Sequence, residues 1–211
     1  MIGERTLSEK AQNTRQRIVD AAINVFARKG FHDAKVDDIV DESGTSKGSV
    51  YFHFPNKEEI FLALIDEFAA ILEERLTGDI SGGSSGIMRV DRAIGGMLDV
   101  FGRYRALAKI FLVQAVGLGR AFEEKRMEIE DRFVGIIKQN LDKAVADGDI
   151  PPIDTQVAAI SWMGAIYAVV TRWVYTGEPE PERIRQTLRL FLLRSIGIPE
   201  ERIAQLEAAD A

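Results

Sequence analysis

The stretch VDDIVDESGTSKGSVYFHFPNKEE, Val36 to Glu59, decides how this chain is read. Val36, Ile39 and Val40 form a short apolar set at helical spacing, closed by Gly44. Ser46 is a natural N-cap for a second short helix, which ends near Phe54-Pro55. Within it Val50 and Phe54, four residues apart, are predicted to face inward toward Ile39 and Val40. Asn56 then caps a long helix, with Glu59 placed to reach back to it. Two short helices joined by a glycine-containing turn, with further helices packed across them, are what a helix-turn-helix requires.

Helical periodicity continues in both directions, and no alternating strand pattern competes with it. Upstream, Ile18, Ala21, Ala22, Val25 and Phe26 make an apolar stripe. Asn13 with Gln16 reads as a capping box opening that helix, and Gly30 as its stop. Downstream, the helix from Asn56 carries the stripe Ile60, Leu64, Phe68, Ile71 and Leu72. Asp79 to Gly86 reads as a flexible loop, followed by helices over about 87–103 and 105–116 and a break at Gly117-Leu118-Gly119. Long helices are predicted over about 120–147, from the cap Asp154 to Thr176, and over 182–196, with an amphipathic tail at 200–206. The expected fold is all-α: a three-helix helix-turn-helix head, residues 1–55, and a connecting helix leading into a larger helical body, residues 56–211.

Composition narrows the function classes. At 46% hydrophobic and 28% charged residues the chain is that of a folded protein. It has no cysteine, so disulfides, thiolate metal sites and cysteine nucleophiles are excluded. Its two histidines, His32 and His53, are too few for a multi-histidine metal site, and His32 reads as a solvated turn residue. With no glycine-rich phosphate loop and no histidine outside the head, an enzyme is not expected, nor is a cofactor or a metal. The polar start Met1 to Lys10 does not resemble a signal peptide, and no window holds eighteen uninterrupted apolar residues. A cytoplasmic protein that does not span a membrane is the expectation.

Net charge is −6, which by itself argues against a nucleic-acid partner. Its distribution matters more. Residues 1–57 carry nine Lys and Arg against eight Asp and Glu, a balance of +1, whereas the remainder carries −7. The acidic pairs Asp37-Asp38 and Glu58-Glu59 each fall in a first helical turn, where acids complement the helix dipole, so they read as capping groups and not as catalytic carboxylates.

The run Arg17-Ile18 through Phe31, then Val36-Asp37-Asp38-Ile39 and Ser43-Gly44-Thr45-Ser46-Lys47-Gly48-Ser49-Val50-Tyr51-Phe52-His53-Phe54-Pro55-Asn56-Lys57-Glu58-Glu59, resembles the DNA-binding head of the tetracycline-repressor (TetR) family over about residues 12–65. The resemblance implies that Lys47, Gly48, Ser49, Tyr51, His53 and Lys57 lie at a DNA interface. With Lys35, Val36, Thr45 and Ser46 at the two helix starts, these are the candidate DNA-binding residues. Lys35 departs from the family, which usually has Thr there. Lysine has no side-chain oxygen to cap the helix, which loosens that start by roughly 1 kcal/mol, but it gains a charge for a phosphate. Tyr51 and His53 are expected beside the DNA backbone, and Lys57, at a helix N-terminus, beside a phosphate.

The resemblance further implies a homodimer built on the last two long helices and an effector pocket in the body, making residues 56–211 an effector-binding and dimerisation domain. Arg120, Trp162, Met163, Tyr167 and Arg172 are the pocket candidates, weighed against the plainer reading of core aromatics and ordinary salt bridges. The expected function is a transcriptional repressor that binds palindromic double-stranded operator DNA and is released by a hydrophobic or amphipathic small molecule. The rival is a helical homodimeric binding module that no longer reads DNA. Salt-dependent DNA binding separates the two.

Overall fold

The computed structural model describes residues 2–80, 86–114 and 117–209, and every element among them is helical. In chain order these are α1 (Ile2–Asp33), α2 (Val36–Ser43), α3 (Lys47–His53), α4 (Lys57–Ile80), α5 (Gly86–Arg103), α6 (Arg105–Lys109) with a π-helical continuation (Ile110–Gln114), α7 (Arg120–Ala146), α8 (Thr155–Thr176), α9 (Pro181–Ser195) and α10 (Glu200–Ala209). The all-α class, with an N-terminal helix-turn-helix head and a helical body, is as read from the sequence. The helices group into two compact units. One holds Met1–Ala69 with Ala106–Phe122, and the other holds Ala70–Arg105 with Glu123–Ala211.

In the first unit, α1 begins at Ile2, so Asn13 does not open it. The Thr14 hydroxyl donates to the Lys10 carbonyl at 2.9 Å, an i to i−4 bond that exists because the chain is already helical there. Gly30 does break the helix. Its φ of 75° and ψ of 171° put a kink before a last turn that runs to Asp33. The predicted stripe Ile18, Ala21, Ala22, Val25 and Phe26 is buried, as are Ile39 of α2, Val50 of α3 and Phe54. On α4 the burial is wider than one stripe: Phe61, Ile65 and Ala69 are buried beside Ile60, Leu64 and Phe68. The reason is an aromatic cluster. Phe61 meets Phe26, Phe31 and Phe122 edge to face at 5.1, 4.9 and 5.4 Å. Phe68 packs with Phe111 of the π-helical turn at 5.7 Å. The segment expected as a single helix over 105–116 is thus α6 followed by that turn, with residues 115–116 outside the described ones. The expected loop over 79–86 shrinks likewise. Asp79 and Ile80 close α4, Gly86 opens α5, and 81–85 lie outside the described residues.

In the second unit α5 packs mainly on α9, α8 packs on both, and α10 lies against α5 and α9. Asp154 caps α8 as predicted, its carboxylate accepting from the backbone N–H groups of Gln156 and Val157. The Arg105 guanidinium donates to the carbonyls of Trp173 and Val174 at 3.3 Å near the end of α8, where the Trp173 carbonyl also accepts from the Gly177 N–H at 2.7 Å. Helix α8 has a mean hydropathy of 1.4 in its most apolar stretch, enough by length and composition to cross a membrane, yet only 28% of that stretch is buried. A helix at a protein–protein contact passes the same test, so this alone assigns no membrane.

Candidate nucleic-acid interface

The helix-turn-helix is built from side-chain contacts that hold two very short helices in place. A seven-residue helix such as α3 does not persist alone in water, so its ends and its inner face must be fixed from outside. Gly44 ends α2 in the left-handed region, φ 60° and ψ 28°. From α1, the Arg17 guanidinium donates to the Ser43 carbonyl at 2.7 Å. The hydroxyls of Ser43 and Thr45 lie 2.7 Å apart across the turn. Ser46 then caps α3, its hydroxyl oxygen accepting from the Ser49 N–H at 3.1 Å. Val50 is fully buried and Phe54 nearly so, with the Arg15 guanidinium 5.1 Å from the Phe54 ring centre.

With that face buried, the other face of α3 is turned to solvent. Ser46, Lys47 and Gly48 are exposed, Ser49 and His53 are half-buried, Tyr51 is 44% exposed and Phe52 is 81% exposed. Val36 and Thr45 are half-buried at the helix starts, and Lys35 is exposed. Lys35 offers no capping oxygen, but its backbone N–H donates to the Asp38 carboxylate at 3.0 Å, which supplies half of a capping box. Asp38 also pairs with Lys29 of α1 at 2.9 Å. That ammonium first, and the Lys35 N–H second, hold the Asp38 carboxyl below the usual carboxylate range. The Arg28 guanidinium does the same for Glu42. Among the described residues no three His, Asp or Glu side chains gather as a metal site would need.

Two cations of the predicted interface differ in what they have left to give. Lys47 pairs with Asp37 at 2.6 Å on the open surface, and the hydrogen bond to Asp37 raises the Lys47 pKa above its usual value. Such a solvent-screened pair is readily exchanged for a phosphate or a base edge. Lys57 is engaged inside the head. Its ammonium donates to the carbonyls of Phe31, His32 and Ala34 at 2.7, 3.2 and 2.9 Å and lies 4.4 Å from the Phe31 ring centre. An ammonium has three donors, and all three are used, so the phosphate contact expected for Lys57 would require it to leave these carbonyls. Asn56 caps α4 as predicted, accepting from the Glu59 N–H at 2.8 Å.

The sequence pattern that defines the bacterial regulatory proteins of the tetR family matches residues 18–64, the helices just described. The uncharacterized HTH-type transcriptional regulator TtgW of Pseudomonas putida is 31% identical over 64% of this chain and 98% of its own length. The chain belongs to the TetR family. Another relative, the HTH-type transcriptional regulator SrpR of Pseudomonas putida, is 29% identical over 89% of this chain and 86% of its own. The fold is shared with FadR of Bacillus subtilis, solved in complex with stearoyl-CoA, at a TM-score of 0.77 and 22% identity over 88% of this chain and 99% of that one.

In this TetR-family chain the five pocket candidates are placed as follows. Arg120 belongs to the first compact unit, whereas Trp162, Met163, Tyr167 and Arg172 lie on α8 in the second. Trp162 is buried and its indole N–H donates to the Ser195 hydroxyl at 2.9 Å, which ties α8 to α9. Met163 and Tyr167 are half-buried, and Arg120 and Arg172 are exposed. Three residues of the helix-turn-helix were not singled out from sequence: Arg17, which fixes the turn, Arg15, which lies over the Phe54 ring, and the exposed Phe52. Phe52 was discoverable, because it lies one helical turn from Gly48 and so shares its face.

Proposed function

We propose that this TetR-family regulator is a repressor that binds palindromic operator DNA as a homodimer through α3. The observation that carries the reading is the division of α3 into a buried side, Val50 with Phe54, and an open side with Ser46, Lys47, Gly48 and Tyr51. Small exposed residues at the start of a helix let its backbone approach the floor of a major groove about 12 Å wide. Residues 1–55 are the DNA-binding domain, with Lys35, Val36, Thr45, Ser49 and His53 flanking that surface. Residues 56–211 are the effector-binding and dimerisation domain.

The dimer rests on the apolar side chains that α8 and α9 leave uncovered. Val157, Ile160 and Tyr175 on α8 and Phe191 on α9 are 58%, 49%, 67% and 56% exposed. A second copy covering the same surface explains why so apolar a helix is so little buried. Two α3 helices would then enter successive major grooves about 34 Å apart. The effector is a hydrophobic or amphipathic small molecule. The stearoyl-CoA bound by FadR supports an acyl-type compound, and Met163 and Tyr167 are the side chains first to be tested. To relieve repression the compound must bind the DNA-free arrangement more tightly, a coupling of typically 1–3 kcal/mol.

The test is selection from a randomised DNA library by the purified protein at two salt concentrations, with Tyr51→Ala in parallel. Enrichment of a palindrome by the wild type alone is expected. A lack of enrichment at both salts, repeated after denaturing and refolding to strip any bound compound, would leave the rival: a helical module without DNA recognition.

A further inference from the structure

Phe52 is the most exposed of the large apolar side chains among the described residues, at 81%. Its ring meets the edge of His53 at 5.1 Å and 83°, a neighbour that leaves its outer face open. One turn earlier on the same face stands Gly48. Its φ is not positive, so the backbone there asks for no glycine. A Cβ added at Gly48 would meet nothing within 4 Å, so no packing inside the chain asks for one either. Glycine is a poorer helix former than alanine, most of all in a helix of seven residues. The chain therefore carries, on one face of α3, a residue that weakens the helix beside an apolar ring left in water. Neither serves the isolated head.

Resting on the operator-binding reading above, we propose that Gly48 and Phe52 form a notch and a wedge that read a thymine. The missing side chain at Gly48 lets the α3 backbone close on the groove floor, which brings the Phe52 ring against the C5-methyl of a thymine. The ring has no hydrogen-bond donor or acceptor, so it cannot read the polar edges of guanine, adenine or cytosine. The thymine methyl is the one apolar group that base edges offer in the major groove. Specificity at that step comes from burying the methyl, and Lys47 on the same face is left to supply the polar readout.

The experiment uses the full-length protein and its selected operator, with each thymine replaced in turn by deoxyuridine, which lacks only the methyl. Wild type should lose roughly four-fold affinity per half-site at one symmetry-related pair of thymines, the effect of one buried methyl. Phe52→Ala, at a position where the fold needs no side chain, should bind the unmodified operator more weakly and be indifferent to that replacement. Gly48→Ala should raise the melting temperature while weakening operator binding, opposite signs that a purely structural glycine would not give. If wild type binds its operator but ignores every deoxyuridine, or if Phe52→Ala keeps the same dependence, the thymine reading falls while operator binding stands. If wild type selects no operator at all, both fall together.

Discussion

The Lys57 ammonium donates to the Phe31 carbonyl at 2.7 Å while lying 4.4 Å from the centre of the Phe31 ring. It joins the start of α4 to the kinked end of α1, where the carbonyls that follow Gly30 lack helical partners. Lys57→Met should therefore destabilise the head by roughly 1–3 kcal/mol, the scale of losing a charged donor to partly buried acceptors. The salt dependence of operator binding separates this from a phosphate contact. An internal staple leaves the slope unchanged, whereas a lost phosphate contact lowers it by about 0.9.

Lys47 and Tyr51, one turn apart on the open side of α3, should respond differently to truncation. Tyr51→Ala is expected to weaken binding to all DNA sequences alike. Lys47→Ala should also relax preference at one base position, by roughly 5- to 150-fold if the ammonium reads guanine. Asp37→Asn, which removes the competing partner at 2.6 Å, should strengthen operator binding at low salt. Titrations against an operator and its single-base variants check all three.

Gly44 and Gly48, four residues apart, should give opposite results on stability when changed to alanine. At Gly44 the φ of 60° penalises any Cβ, so Gly44→Ala should cost roughly 1–2 kcal/mol. At Gly48 the same change meets open space in a helical backbone and should stabilise. Thermal unfolding of the two variants beside wild type is sufficient.

Acid should loosen the packing of α1 on α2. Asp38 and Glu42 are held below the usual carboxylate range by Lys29 and Arg28, so the folded chain takes up their protons less readily than the unfolded one. Their contribution is complete above the ordinary carboxylate range, near pH 4, and is lost as pH falls through it to their lowered values. Both ion pairs lie at the surface and their basic partners, Lys29 and Arg28, are exposed, so the effect should be small and weaker at high salt. Melting curves from pH 6 to pH 3 should be flatter for Asp38→Asn with Glu42→Gln than for wild type.

A charge placed on the uncovered face of α8 should separate the copies. Val157→Glu with Ile160→Glu puts two carboxylates where two apolar side chains stand about half exposed. Sedimentation should show a monomer with unchanged helical content and weakened operator binding. A dimer that persists would move the interface elsewhere.

Much of the local structure was legible in the residues themselves. The caps at Ser46, Asn56 and Asp154 were readable because each bonds a backbone N–H two or three residues on, and the buried stripes because helical spacing is fixed by local geometry. Asn13 failed as a cap because the same residue pattern fits equally well inside a longer helix, and nothing local says which. Tertiary structure alone could decide what Lys57 does, since its three acceptors lie 23 to 26 residues earlier and come within reach only when α1 and α4 pack. The same holds for the segment Ala106–Phe122, drawn into the first unit by Phe111 and Phe122 against partners some forty to ninety residues away. Local hydrogen bonds and periodicity are written in short sequence separations. The assignment of a charge to a carbonyl and the joining of distant aromatic rings were set by which apolar surfaces leave water together.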